Sequence, residues 1–116
     1  MDICFEGIGQ MVATFATEKT LAPGRAVTLK DSGTVKLGEG GGSPLCGVTV
    51  GAERNGAVAV QIGGVVEVKY SGTKPTVGWQ KLACDAEGNV TTNGGDGVSC
   101  LVLAVDEGGK TAVIKL

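Results

Sequence analysis

The stretch 58–70 constrains this chain most. Its large apolar residues, Val58, Val60, Ile62, Val66, Val68 and Tyr70, all fall on even positions. That is the two-residue period of a β-strand with one buried face. The parity persists through Gly63-Gly64. A two-residue hairpin at this point would set Ile62 opposite Val65 on one face and move the apolar set to odd positions. The expectation is therefore one long strand bent at the glycine pair, or an odd-length loop with a bulge, as at the corner of a small barrel.

The rest of the chain repeats the same grammar. Glycine supplies 21 of 116 residues against only 3 prolines, and it separates runs rich in valine, alanine and threonine. Glycine without proline or a strict repeat excludes collagen and disordered tracts and points to a globular, turn-dense β protein. Strands are expected at Met11–Thr17, Arg25–Lys30, Thr34–Leu37, Cys46–Val50, Trp79–Cys84, Asn89–Thr92 and Thr111–Leu116. Turn signals lie between them: Leu21–Gly24, Asp31–Gly33, the Asn-Gly pair of Glu53–Gly56, Asp85–Gly88, Asn93–Gly97 and Asp106–Lys110. Gly38–Pro44 (GEGGGSP) reads as a flexible loop. No segment carries an apolar period of 3.6, so at most one short helix is expected. The domain reading is an extended N-terminal arm over 1–10 and one all-β domain over 11–116, a small Gly/Val-rich β-barrel.

Val98–Val105 is apolar on both faces, with Val98, Cys100, Val102 and Ala104 on one and Leu101, Leu103 and Val105 on the other. Such a strand is central, or its second face meets another subunit, which makes Leu101, Leu103 and Val105 candidate interface residues.

The composition argues against most chemistry. The chain has no histidine, which removes the Ser-His and Cys-His arrangements and the usual zinc patterns. Cys4, Cys46, Cys84 and Cys100 form no CxxC pair and are read as free thiols acting as small core hydrophobes, ahead of a disulfide. Most of the 12 carboxylates sit at turns, where they act as solvated caps. GEGGGSP lacks the GK[ST] ending of a phosphate cradle, and NGGDG lacks the spaced acids of a calcium loop. A net charge of −2 without a Lys/Arg cluster disfavours nucleic acid. No apolar run is long enough for a membrane span, and MDICFEG has no signal-peptide core. The reading is a non-enzyme with no cofactor, no metal and no small-molecule substrate. Trp79 is read as covering one end of an aromatic-poor core, ahead of the alternative in which it stacks on a sugar or anchors an interface.

The order of these segments resembles a family. GVTVGAERNGAVAVQIGGVVEVKYSG, the glycine before Trp79, DAEGNV and VSCLVLAVDEGGKTAVIKL are similar to the capsid decoration, or cement, proteins of tailed bacteriophages and prophages. Leu21–Gly24, Cys46-Gly47-Val48, the strand from Val58 to Val68 and the closing hairpin from Leu103 to Leu116 carry the likeness. It covers most of the chain from about Leu21 onward. The resemblance implies a β-tulip-like barrel that forms homotrimers on the outside of the mature head, at threefold and quasi-threefold positions. There it clamps neighbouring subunits of the major capsid protein, after synthesis in the cytoplasm of the host bacterium. It also implies that the arm Met1–Gln10 adds a strand to a capsid loop, with Ile3, Phe5 and Ile8 as apolar anchors. The alternatives are a tail-tube, spike or fibre-tip domain, and a small carbohydrate-binding module using Trp79.

Overall fold

The computed structural model describes residues 10–38, 42–92 and 97–116. Ile3, Phe5, Ile8 and Cys4, and most of the Asn93–Gly97 turn, lie outside these residues. The strands are β1 (Met11–Thr17), β2 (Ala26–Asp31), β3 (Thr34–Lys36), β4 (Ser43–Pro44), β5 (Gly47–Thr49), β6 (Ala57–Gly63), β7 (Val65–Ser71), β8 (Gly78–Cys84), β9 (Val90–Thr91), β10 (Val98–Asp106) and β11 (Thr111–Lys115). The described residues contain no helix. The protein is all-β.

β1, β3, β2, β5 and β6 form a closed barrel, with β6 returning to pair with β1. The remaining strands form a second sheet in the order β10-β11-β7-β9-β8-β4, and β10 also pairs with β8. That extra pairing joins five of its strands into a second ring.

The even-numbered parity has its explanation here. β6 and β7 do not pair with each other; the chain leaves the barrel at Gly64 and enters the second sheet. Val58 and Val60 point into the barrel core, and Val66, Val68 and Tyr70 point into the other core. Because the strand continues and does not reverse, one parity serves both interiors. Gly64 takes φ 85°, a conformation that glycine adopts without a Cβ clash. The corner is held by Gln61, which is 2% exposed. Its side-chain amide donates to the carbonyls of Gly63 and Val65, both at 3.0 Å, and its oxygen accepts from Gln10 Nε2 at 3.0 Å. One side chain thus ties both arms of the bend and the start of β1.

The two rings share material. Ala26 and Val48, on barrel strands β2 and β5, are buried in the core of the second sheet, while the adjacent Val27 is buried in the barrel. Backbone bonds stitch the seam: the Ala26 N–H donates to the Gly88 carbonyl at 2.8 Å, and the Gly38 N–H to the Asp85 carbonyl at 3.0 Å.

Turn chemistry is as the sequence indicates. Asn55 (φ 52°) and Gly56 (φ 79°) close the tight connection into β6, with Glu53 Oε1 accepting from the Gly56 N–H. Asp106 Oδ1 accepts from the N–H groups of Gly108 and Gly109 in the last hairpin. One expectation changes. Within 38–44, Ser43–Pro44 is not loop but edge strand β4, paired with Cys84 and Ala83 of β8. Two residues are too short for a periodic signal, and the proline masks them further.

Candidate functional site

No described carboxylate is set up for acid–base work. Asp85 is the best supported of them, and its bonds hold its own turn and tie that turn to the end of β7. Its Oδ1 accepts from the N–H groups of Glu87 and Asn89, both at 2.9 Å, and its Oδ2 from the Ser71 hydroxyl at 2.6 Å. Partial burial pushes this carboxyl up. The hydrogen bonds from Ser71, Asn89 and Glu87 outweigh that effect and hold it below its ordinary value. A carboxylate so engaged is a turn staple. Among the described residues no group of three or more His, Cys, Asp or Glu side chains could hold a metal ion.

The described cysteines are free thiols, with Cys84 and Cys100 buried and Cys46 half-buried. Burial pushes all three thiols up, Cys84 to about 11. They are core hydrophobes with poor access to the thiolate. A depression of about 490 Å³ opens over Leu21, Val35 and Leu37. An exposed ion pair between Lys30 and Glu18 sits on its rim.

What the molecule does present is surface. The first is an edge. β1 pairs with β6 along Met11–Ala16, but on its other side it meets β3 only at Ala16 and Thr17. Among the described residues, the main chain of 11–15 therefore has one unpaired edge, and Met11 and Val12 are exposed there. Residues 1–9 join the chain at this point.

The second surface centres on Trp79, and here the sequence reading is corrected. Trp79 does not cover the core; it is 71% exposed. In β8 the residues packed into the core of the second ring are Leu82 and Cys84, on even positions, and odd-numbered Trp79 and Lys81, both exposed, project from the opposite face, on which only Ala83, near the end of the strand, is buried. That alternation was legible in GWQKLAC, but the scarcity of aromatics outweighed it.

Leu101, Leu103 and Val105 do not share one face. β10 slips register between Val102 and Ala104. Before the slip, Cys100 and Val102 face the core and Leu101 stands outward opposite Trp79. After it, Val105 packs against the core, opposite buried Ala112. Leu103, at the slip itself, is half-buried. A bulge adds one residue and reverses the alternation, which no pattern of apolar residues alone reveals.

Compared with protein-family models and with curated proteins, the chain matches none.

Proposed function

We propose that this chain is a virion structural protein, a capsid decoration protein that docks as a homotrimer on the outside of a phage or prophage head and stabilises the shell. The observation that carries this reading is the β1 edge, unpaired among the described residues and placed where the segment with Ile3, Phe5 and Ile8 joins the chain. A free strand edge continued by an apolar arm suits strand addition, which gives affinity through main-chain hydrogen bonds and needs no chemical motif. The doubly ringed β body supports it as a stiff platform, and three copies would multiply contacts that are individually weak. The partner is the major capsid protein and the place is the capsid surface. The test is to mix purified protein with expanded, undecorated heads of the virus that encodes it. Co-sedimentation and added density on the head surface are expected; protein that stays in the supernatant at saturating concentration refutes the reading.

The exposure of Trp79 favours a second reading, a carbohydrate-binding module with the indole as a stacking platform. Saturable quenching of Trp79 emission by oligosaccharides would uphold it, and emission indifferent to sugars would end it.

A further inference from the structure

β1 outruns its neighbour. Its Ala16 and Thr17 pair with Thr34 and Val35 of β3, and the Ala16 N–H donates to the Gly33 carbonyl at 2.8 Å. From Phe15 back to Met11 the strand runs on past the Asp31–Gly33 turn, paired on the β6 side alone among the described residues. Successive residues of a strand aim their backbone groups at opposite edges. The Ala16 N–H points to β3, and the Thr17 N–H reaches Gly56 on the β6 side. The donors and acceptors of the open edge are therefore those of Val12 and Thr14.

The barrel interior is uncovered at the same end. Ala13 and Phe15 stand opposite Val60 and Val58, which are buried in the barrel core, so the odd-numbered residues of β1 face inward. Both are nonetheless only half-buried. Leu29, opposite buried Val35, faces the same interior and is 54% exposed. A strand laid along 11–15 completes the backbone edge and this apolar lining together.

The chain carries such a strand immediately upstream. Residues 2–6 read Asp-Ile-Cys-Phe-Glu, with the large apolar side chains at 3 and 5 and the acids at 2 and 6. In an antiparallel return, Phe5 opposite Ala13 and Ile3 opposite Phe15 put both anchors on the inward face. The same register sets Cys4 opposite Thr14 and Glu6 opposite Val12, where the open backbone groups are. It leaves Gly7–Met11 for the reversal, with glycine at 7 and 9. It also ends at Asp2, where Gly33 and Thr34 already hold the edge. A shift of two residues one way drives Ile3 against β3; the other way sets Phe5 beyond the core, opposite exposed Met11.

We propose that residues 3–7 close the β1 edge of their own chain in the free protein, and that a strand of the shell docks by displacing them. The short tether selects this occupant, because it holds the arm at millimolar effective concentration beside an edge that would otherwise invite indiscriminate pairing. The displacement rests on the reading of the chain as a shell-docking protein; the closure does not.

The free protein tests the closure. In Cys46→Ser/Thr14→Cys, native Cys4 and the introduced thiol sit on opposed residues, whose Cα atoms are about 5.5 Å apart and within disulfide reach. With oxidised glutathione as oxidant, their intramolecular disulfide should form about tenfold faster than the one in Cys46→Ser/Val12→Cys, read by peptide mass spectrometry. In wild type the Val12 and Thr14 amides should be protected from hydrogen exchange. Ile3→Asp/Phe5→Asp should speed both at least about tenfold and leave Val58 and Val60 unchanged. Circular dichroism checks that each variant keeps the wild-type fold, and the crosslink decides should the aspartate variant lose it. Equal crosslinking at the two positions overturns the closure, as do Val12 and Thr14 amides that exchange alike in wild type and the aspartate variant. A disulfide that joins two chains overturns it too, making a second copy's arm the occupant.

Undecorated heads test the displacement. Protein locked by the disulfide should bind about tenfold or more weakly than the same protein reduced. Locked protein that binds as tightly as reduced overturns the displacement. Heads that bind neither form remove the shell reading, and crosslinking and exchange then decide the closure alone.

Discussion

Replacing Gln61 with leucine tests the account of the corner at its centre. The side chain is buried and makes three hydrogen bonds: two donated across the bend to Gly63 and Val65, and one accepted from Gln10. Leucine is close in size and removes all three. At about 1 kcal/mol each the loss is about 3 kcal/mol. The larger apolar surface of leucine offsets about 1 kcal/mol of this, leaving a net destabilisation of about 2 kcal/mol. Unfolding entropy near 2.1 cal/mol/K per residue gives about 0.24 kcal/mol/K for this chain, so Tm should fall by about 8 °C. Urea unfolding followed by circular dichroism should show a lower midpoint at unchanged slope. Gln61→Glu sharpens the test. Its carboxylate would face two carbonyl oxygens, so its folded pKa is raised above the unfolded one. The protonated form can still donate, so the stability it contributes is present at acid pH and lost as pH rises through the raised value. Relative to wild type, the glutamate variant should be most stable near about pH 4 and weakest near about pH 8. A leucine variant as stable as wild type, or a glutamate variant whose deficit ignores pH, would refute the clamp.

Further outcomes follow from local geometry. A Cβ at Gly47 would stand 2.4 Å from the Gln61 carbonyl oxygen, whereas Gly51 has open space; Gly47→Ala should lower stability by about 3 kcal/mol or more and Gly51→Ala by less than about 0.5, both read by urea midpoint. The Asp85 carboxyl is held below its ordinary value, so it contributes stability above the unfolded pKa that is lost as pH falls through the folded one. Asp85→Asn should therefore flatten the acid limb of the stability profile below about pH 4, measured by midpoints across that range. In a Cys4→Ser/Cys46→Ser variant, the buried Cys84 and Cys100 thiols should resist a thiol reagent at about pH 8 until denaturant is added; fast labelling of the folded variant would contradict their placement.

How far the residues disclose this structure varies with the kind of information. Alternation in 58–70 carries the buried face and the bend, because a period of two records which side of a strand meets apolar neighbours. It does not record which sheet the strand joins, so the transfer from barrel to second ring at Gly64 lay beyond it. The Asn55-Gly56 and Asp106–Lys110 turns were readable because their chemistry is local. The slip in β10 was not, since Leu103 and Ala104 are as apolar as their neighbours and a bulge is settled by partner strands. Trp79 was readable and misjudged: its odd position opposed Leu82 and Cys84, and only the assumption that a rare aromatic belongs inside said otherwise. Gln61 gave no sign of its role, because a polar residue on the outward parity of a strand looks solvated until the chain folds back over it.

The shared seam between the rings has a mechanical consequence. Ala26 and Val48 are wall for one ring and filling for the other, and β6 runs into β7 with a single residue between them. Strain imposed on either half passes to its neighbour through main chain and common core. The molecule should deform as one solid and melt in a single cooperative step.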